Sequence, residues 1–299
     1  MLAVAALHLC HHGAKDYRNT GLSHLNAAIP KFNESLNGGL IPPKESPHIL
    51  YTAMLITLHS FCIDSKSVTE SWVFSSSPDR LAWLVVQRGL APLFGQTQKY
   101  HTDSFMTPVF NIIDGPRSAA EGLPTKLLLM CGYKPDATEH ELQNNPYVPP
   151  LQALNALMPL ERNMPNLLKY LRFLAGIDNT FFMLVSQNDP KALLIIGYCF
   201  ALMCDIELWW TQPRARRDCW AICSFLDQLG NNDIRQLLQF PASACGYTTL
   251  CTAGKSAAPV SEPTPSGNAK TPHTQALPTA SKVNGHAFEN LKSPQEQAV

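Results

Sequence analysis

Ala192-Leu-Leu-Ile-Ile-Gly-Tyr-Cys-Phe-Ala-Leu-Met-Cys204 is the stretch whose reading decides the fold. An uninterrupted apolar run of this kind is either a membrane span or a helix enclosed by other helices. A bilayer requires about 20 apolar residues, and here Asp205 and Glu207 arrive first, followed by Trp209-Trp210. The run is therefore expected to be a core helix with two tryptophans where it emerges, and not a membrane span.

Working outward, apolar residues recur at helical spacing. Leu22, Leu25, Ile29, Phe32 and Leu36 form one stripe over Tyr17–Leu36, which Pro30 should kink or break. A second helix is expected over 46–63, with Pro47 in its first turn and Ile49, Leu50, Met54, Leu58 and Phe61 inward. Ser77-Pro-Asp79 opens a third, and a further helix is expected over 104–113. Residues 125–150 read as irregular, and the helical pattern resumes from Leu151. Asn188-Asp-Pro190 caps the central helix, 214–229 forms an amphipathic one, and 234–240 a last short one stopped by Pro241. No period-two alternation competes with these. The expected fold is all-α, a multi-helix, bundle-like domain over 1–250. Residues 251–299, rich in Pro, Ser, Thr and Ala, cannot bury enough surface to offset ordering entropy and are expected to be a disordered tail.

Composition narrows the function. With 45% hydrophobic and 15% charged residues over 299 positions, the chain can bury a sizeable core, and its net charge of zero offers nothing to nucleic acid. Met1 to Cys10 lacks the basic start of a signal peptide and reads as the first core helix. The nine cysteines are odd in number and include no Cys-x-x-Cys pair. Cys219 and Cys223 share a helix face, but two such ligands without a second pair read as core packing. His8 and His12 also share a face, without an acidic third ligand, and read as a polar helix end. Asp136, Glu139 and Glu141 flank His140 in a segment that looks solvated, and Arg214-Ala-Arg-Arg217 reads as an exposed helix face beside Asp218. No nucleophile elbow, phosphate loop or His-Glu-x-x-His pair occurs, so no catalytic, cofactor-binding or metal-ligating residue is assigned.

Trp83-Leu-Val-Val-Gln-Arg-Gly89 resembles the Trp-Leu-x-x-x-Arg-Gly signature in the regulatory half of fungal zinc-cluster transcription factors, and more closely that of sterol uptake control proteins. Asn188-Asp-Pro-Lys-Ala-Leu-Leu-Ile-Ile196, Trp209-Trp210 and Leu238-Gln-Phe-Pro241 follow in that family's order, and the resemblance covers residues 1–245. It implies an all-helical effector domain, mostly dimeric or joined to a transcription-factor partner, located in the nucleus or the cytoplasm. It also implies a hydrophobic pocket for a sterol or other apolar small molecule, controlling a sterol or secondary-metabolic pathway. Phe181, Phe182, Met183, Tyr198, Met203, Trp209 and Trp210 are the candidate walls of such a pocket, although helical spacing alone equally describes a filled core. The family's DNA-binding module, six cysteines in paired Cys-x-x-Cys spacing in a basic amino-terminal segment, has no counterpart here, which argues against direct DNA binding. The alternative is an enzyme or accessory lipid-binding protein of secondary metabolism. That reading needs a titratable group in the pocket, for which Asp178, Asp205 and Glu207 are the nearest acids in sequence.

Overall fold

The computed structural model describes residues 1–14, 16–63, 65–100 and 122–248. The helix expected over 104–113 and the tail beyond 250 lie outside the described residues. Among the described residues the fold is all-α, without a strand. The helices are α1 Leu2–His11, α2 Tyr17–Leu36, α3 Ser46–Phe61, α4 Ala82–Arg88, α5 Leu90–Thr97, α6 Thr125–Met130, α7 Glu139–Gln143, α8 Val148–Leu157, α9 Met164–Ala175, α10 Asn179–Ser186, α11 Pro190–Met203, α12 Gln212–Gln228, α13 Asn232–Leu237 and α14 Gln239–Cys245.

The quoted stretch is α11, and every residue from Ala192 to Cys204 is buried. It starts where it does because Asp189 accepts hydrogen bonds from the Lys191 and Ala192 amides (3.1 and 2.9 Å), with Pro190 supplying a preset first-turn φ. Asn188, at φ 56°, turns the chain into that cap, and its side chain accepts from Arg80 (2.9 Å) and donates to the Val73 carbonyl (3.2 Å). At 14 residues the helix spans about 21 Å, well short of a bilayer core. No helix among the described residues is long and apolar enough to cross a membrane.

Helices α8, α9, α10, α12 and α14 pack around α11. It packs tightly on α12 at Gly197, where an added Cβ would stand 3.1 Å from Ile222 Cγ2. In an unobstructed helix Gly197→Ala would stabilise by up to about 1 kcal/mol. Here overpacking should reverse the sign, at a net cost of about 1–3 kcal/mol. That penalty should largely vanish in an Ile222→Ala background, as read by urea denaturation of the four-variant cycle. An equal penalty in both backgrounds would rule out the crossing as its cause.

A second cluster joins Leu25, Phe32, Ile49, Ala53, Ile56 and Leu93, gathering α2, α3 and α5. Three expectations need correction here. Pro30 does not break α2, which runs unbroken to Leu36. Asn26, whose carbonyl loses its partner to Pro30, is exposed, so water can satisfy it while Leu25, Phe32 and Leu36 hold both halves down. Nor does Pro241 end the last helix. It lies in the first turn of α14, where a missing amide hydrogen costs nothing. Residues 125–150, read as irregular, hold α6, α7 and the start of α8.

Candidate functional site: an apolar cavity between α3, α5 and α9

Helix α3 carries apolar residues on two faces. Ile49, Leu50, Ala53, Ile56 and Phe61 are buried in the core. Tyr51, Thr52, Leu55 and Leu58 are half-buried and, with exposed His48, run along a second stripe. Facing that stripe are Leu168, Leu171, Arg172 and Ala175, one helical row on α9. Leu90 and Phe94 of α5 close one side, and Met1 and Trp210 also border the space between. The half-open cavity measures about 560 Å³. That lies within the range of small-molecule sites, about 300–1,000 Å³.

Polar groups are few and mostly engaged. Buried Gln87 donates to the Thr57 carbonyl (2.8 Å), and the Thr57 hydroxyl donates to the Met54 carbonyl (2.8 Å). No carboxylate is among the lining residues. An apolar molecule would gain by burial against Leu55, Leu58, Phe94, Leu168 and Leu171, with Gln87 and Thr57 among the polar groups at its edges.

Of the seven residues singled out in sequence, only Trp210 borders this cavity; its ring meets Phe61 edge-on at 6.1 Å. Trp209 instead lies against α1, 5.1 Å from the His8 ring and 5.6 Å from His11. Tyr198 is buried and donates to the Leu237 carbonyl (2.9 Å), Met203 is fully buried, and Phe181 packs against Tyr147. Phe182 lies under the Arg88 guanidinium at 4.5 Å, and Met183 is 53% exposed. Together they are core and surface positions around α10 and α11. The cavity stripe on α3 was legible as a second apolar face on a 16-residue helix, but in sequence it is indistinguishable from core.

The resemblance motifs act as joints. Trp83 of α4 packs on Phe61 and Phe200, and Gln87 reaches α3. Arg88 donates to the Ile177 carbonyl (2.7 Å). The cluster Arg214-Ala-Arg-Arg217 corrects an expectation, for Arg214 and Asp218 are buried. Arg214 donates to the Phe61 and Ser60 carbonyls (2.6 and 3.2 Å), capping the otherwise unsatisfied end of α3, and to Asp218 (3.2 Å). Its guanidinium stands 4.7 Å from the Trp83 ring centre. Burial pushes Arg214 down to about 10, with Asp218 countering. Asp218 also accepts from Arg217 and the Ser71 hydroxyl (both 2.9 Å). Arg216 is exposed, as a solvated face would have it, while Arg214 and Asp218 belong to a buried seam between α3 and α12.

The remaining candidates resolve locally. Glu141 closes a capping box with Thr138 at the start of α7, which holds its carboxyl below the usual range. His8 and His12 lie ring-to-ring at 4.5 Å, as expected on one face of α1. Cys219 and Cys223, paired on α12 as expected, are joined by Cys245 from the end of α14, all three Sγ atoms lying within 4.8 Å of one another. Comparison with protein-family models, curated proteins and solved structures finds no match.

Proposed function

We propose that this chain is a ligand-sensing helical domain of a transcription regulator, taking a sterol or another apolar small molecule of that size between α3, α5 and α9. The observation that carries the reading is the cavity of about 560 Å³, walled by apolar side chains from three helices. The regulatory role rests on the resemblance of the Trp83–Gly89 and Asn188–Ile196 segments to fungal effector domains. In such a domain occupancy would be passed to a partner, either a second copy or a DNA-binding protein.

Binding is favoured over turnover because none of the three acids lies at the cavity, whose titratable lining side chains include His48, which is exposed, and Tyr51. Asp178 caps α10 by accepting from the Phe181 amide (2.7 Å), and Asp205 is paired with Arg162 at the surface (2.7 Å). Glu207 is exposed, and none of the three borders the cavity. A general acid or base must reach its substrate within hydrogen-bond range.

Native mass spectrometry of the purified chain, followed by titration with a fluorescent sterol, tests the reading. Saturable binding is expected. Leu171→Trp, which fills the cavity from α9, should weaken it by at least about tenfold, or about 1.4 kcal/mol, with the far-UV circular dichroism unchanged. Absence of any retained apolar molecule together with non-saturable sterol binding would sink the proposal.

A further inference from the structure

The thiols of Cys219 and Cys223 lie one helical turn apart on α12, and Cys245 reaches them from the last residue of α14. Their Sγ atoms all fall within 4.8 Å of one another, with Cys219 and Cys223 buried and Cys245 half-buried. Two helices thus deliver three sulfurs to one spot.

Ordinary core packing accounts for single buried cysteines such as Cys199, but it gives no reason for three to meet. A disulfide is a poor account of the α12 pair. Residues four apart on a helix hold their Cβ atoms about 5–6 Å apart, whereas a disulfide needs about 3.5–4.5 Å. Metal geometry fits better. Zinc–sulfur bonds of about 2.3 Å place the sulfurs of a tetrahedron about 3.8 Å apart. The observed spacing reaches that with side-chain adjustments of about an ångström, leaving the helices intact. Soft thiolates in a water-poor setting select thiophilic d10 ions, Zn²⁺ or Cu⁺, over harder cations.

We propose that Cys219, Cys223 and Cys245 form a three-thiolate site for a thiophilic d10 metal ion. Each ligating thiol gives up its proton on binding. The Cys219 thiol, which has the Gly197 and Pro241 carbonyls within reach (3.6 and 3.5 Å), exchanges that contact for the metal bond. The site would tie the end of α14 to the middle of α12. It makes no use of the apolar cavity and does not depend on what that cavity binds.

The test uses the full chain, reduced and freed of metal, titrated separately with Zn²⁺, with Co²⁺ as its spectroscopic substitute, and with Cu⁺ under anaerobic conditions. About one ion per chain is expected, with a thiolate-to-cobalt charge-transfer band and a rise in melting temperature that chelator reverses. Cys223→Ala and Cys245→Ala should each weaken binding by at least about a hundredfold, against no change in Cys62→Ala. Should a cluster variant fail to fold, the wild-type stoichiometry and the metal-dependent melting shift still decide the matter. A folded wild-type chain with no charge-transfer band and no mass gain with any of the three ions would overturn the proposal. So would a Cys245 disulfide to either neighbour in freshly purified protein.

Discussion

Asp218→Asn is expected to cost about 3–5 kcal/mol, because it leaves Arg214 and Arg217 charged in a buried seam with no compensating carboxylate. For a chain of this size, each kcal/mol moves the melting temperature by about 2–4 °C. The variant should therefore melt roughly 6–20 °C lower, read by differential scanning calorimetry. The same chemical change at Asp205 provides the control. Its ion pair with Arg162 is as short, at 2.7 Å, but its side chain is 47% exposed. Asp205→Asn should accordingly cost no more than about 1 kcal/mol. If the two variants melt together, the seam carries no special weight.

Phe200→Ala should be comparably damaging, at about 3–5 kcal/mol. Phe200 is fully buried in the middle of α11, with its ring 5.9 Å from Trp83 and 6.5 Å from Phe61. Removing the ring leaves an apolar void between α11, α3 and α4. Such voids stay dry and accept small aromatic molecules. Benzene should thus raise the melting temperature of the variant while leaving the wild type unmoved. Met183→Ala, on the half-exposed face of α10, should shift stability by less than about 0.5 kcal/mol. A Phe200→Ala protein of near wild-type stability would mean that the helix is not packed as described.

How far the molecule could be foreseen depended on whether a signal was local. Helix α11 was legible because its apolar run, its Asp189-Pro190 start and the acids beyond it are all contiguous in sequence. The membrane alternative fell to length alone. The α2 stripe was legible too, but its integrity across Pro30 was not, since local propensity says nothing of the packing that overrides it. Charge misled at Arg214. Basic residues on an amphipathic helix are usually solvated, and nothing nearby in sequence reveals that the end of α3 awaits a donor there. The cavity was missed for a related reason. Half-buried and fully buried apolar stripes look alike until the facing helix is placed, so the aromatic residues around α10 and α11 attracted the assignment instead. The cysteine cluster was half visible as the α12 pair, while Cys245 arrives through the fold.

The cap that Arg214 places on α3 joins residues 153 positions apart. All-helical proteins usually assemble from neighbours along the chain and do so quickly. Here the end of an early helix stays unsatisfied until a late one has been made, so the first hundred residues cannot complete their own structure on the ribosome. The two ends of the chain must wait for each other. Folding should be slower and more all-or-none than helix content alone suggests, and cutting the chain between α5 and α8 would leave neither piece whole.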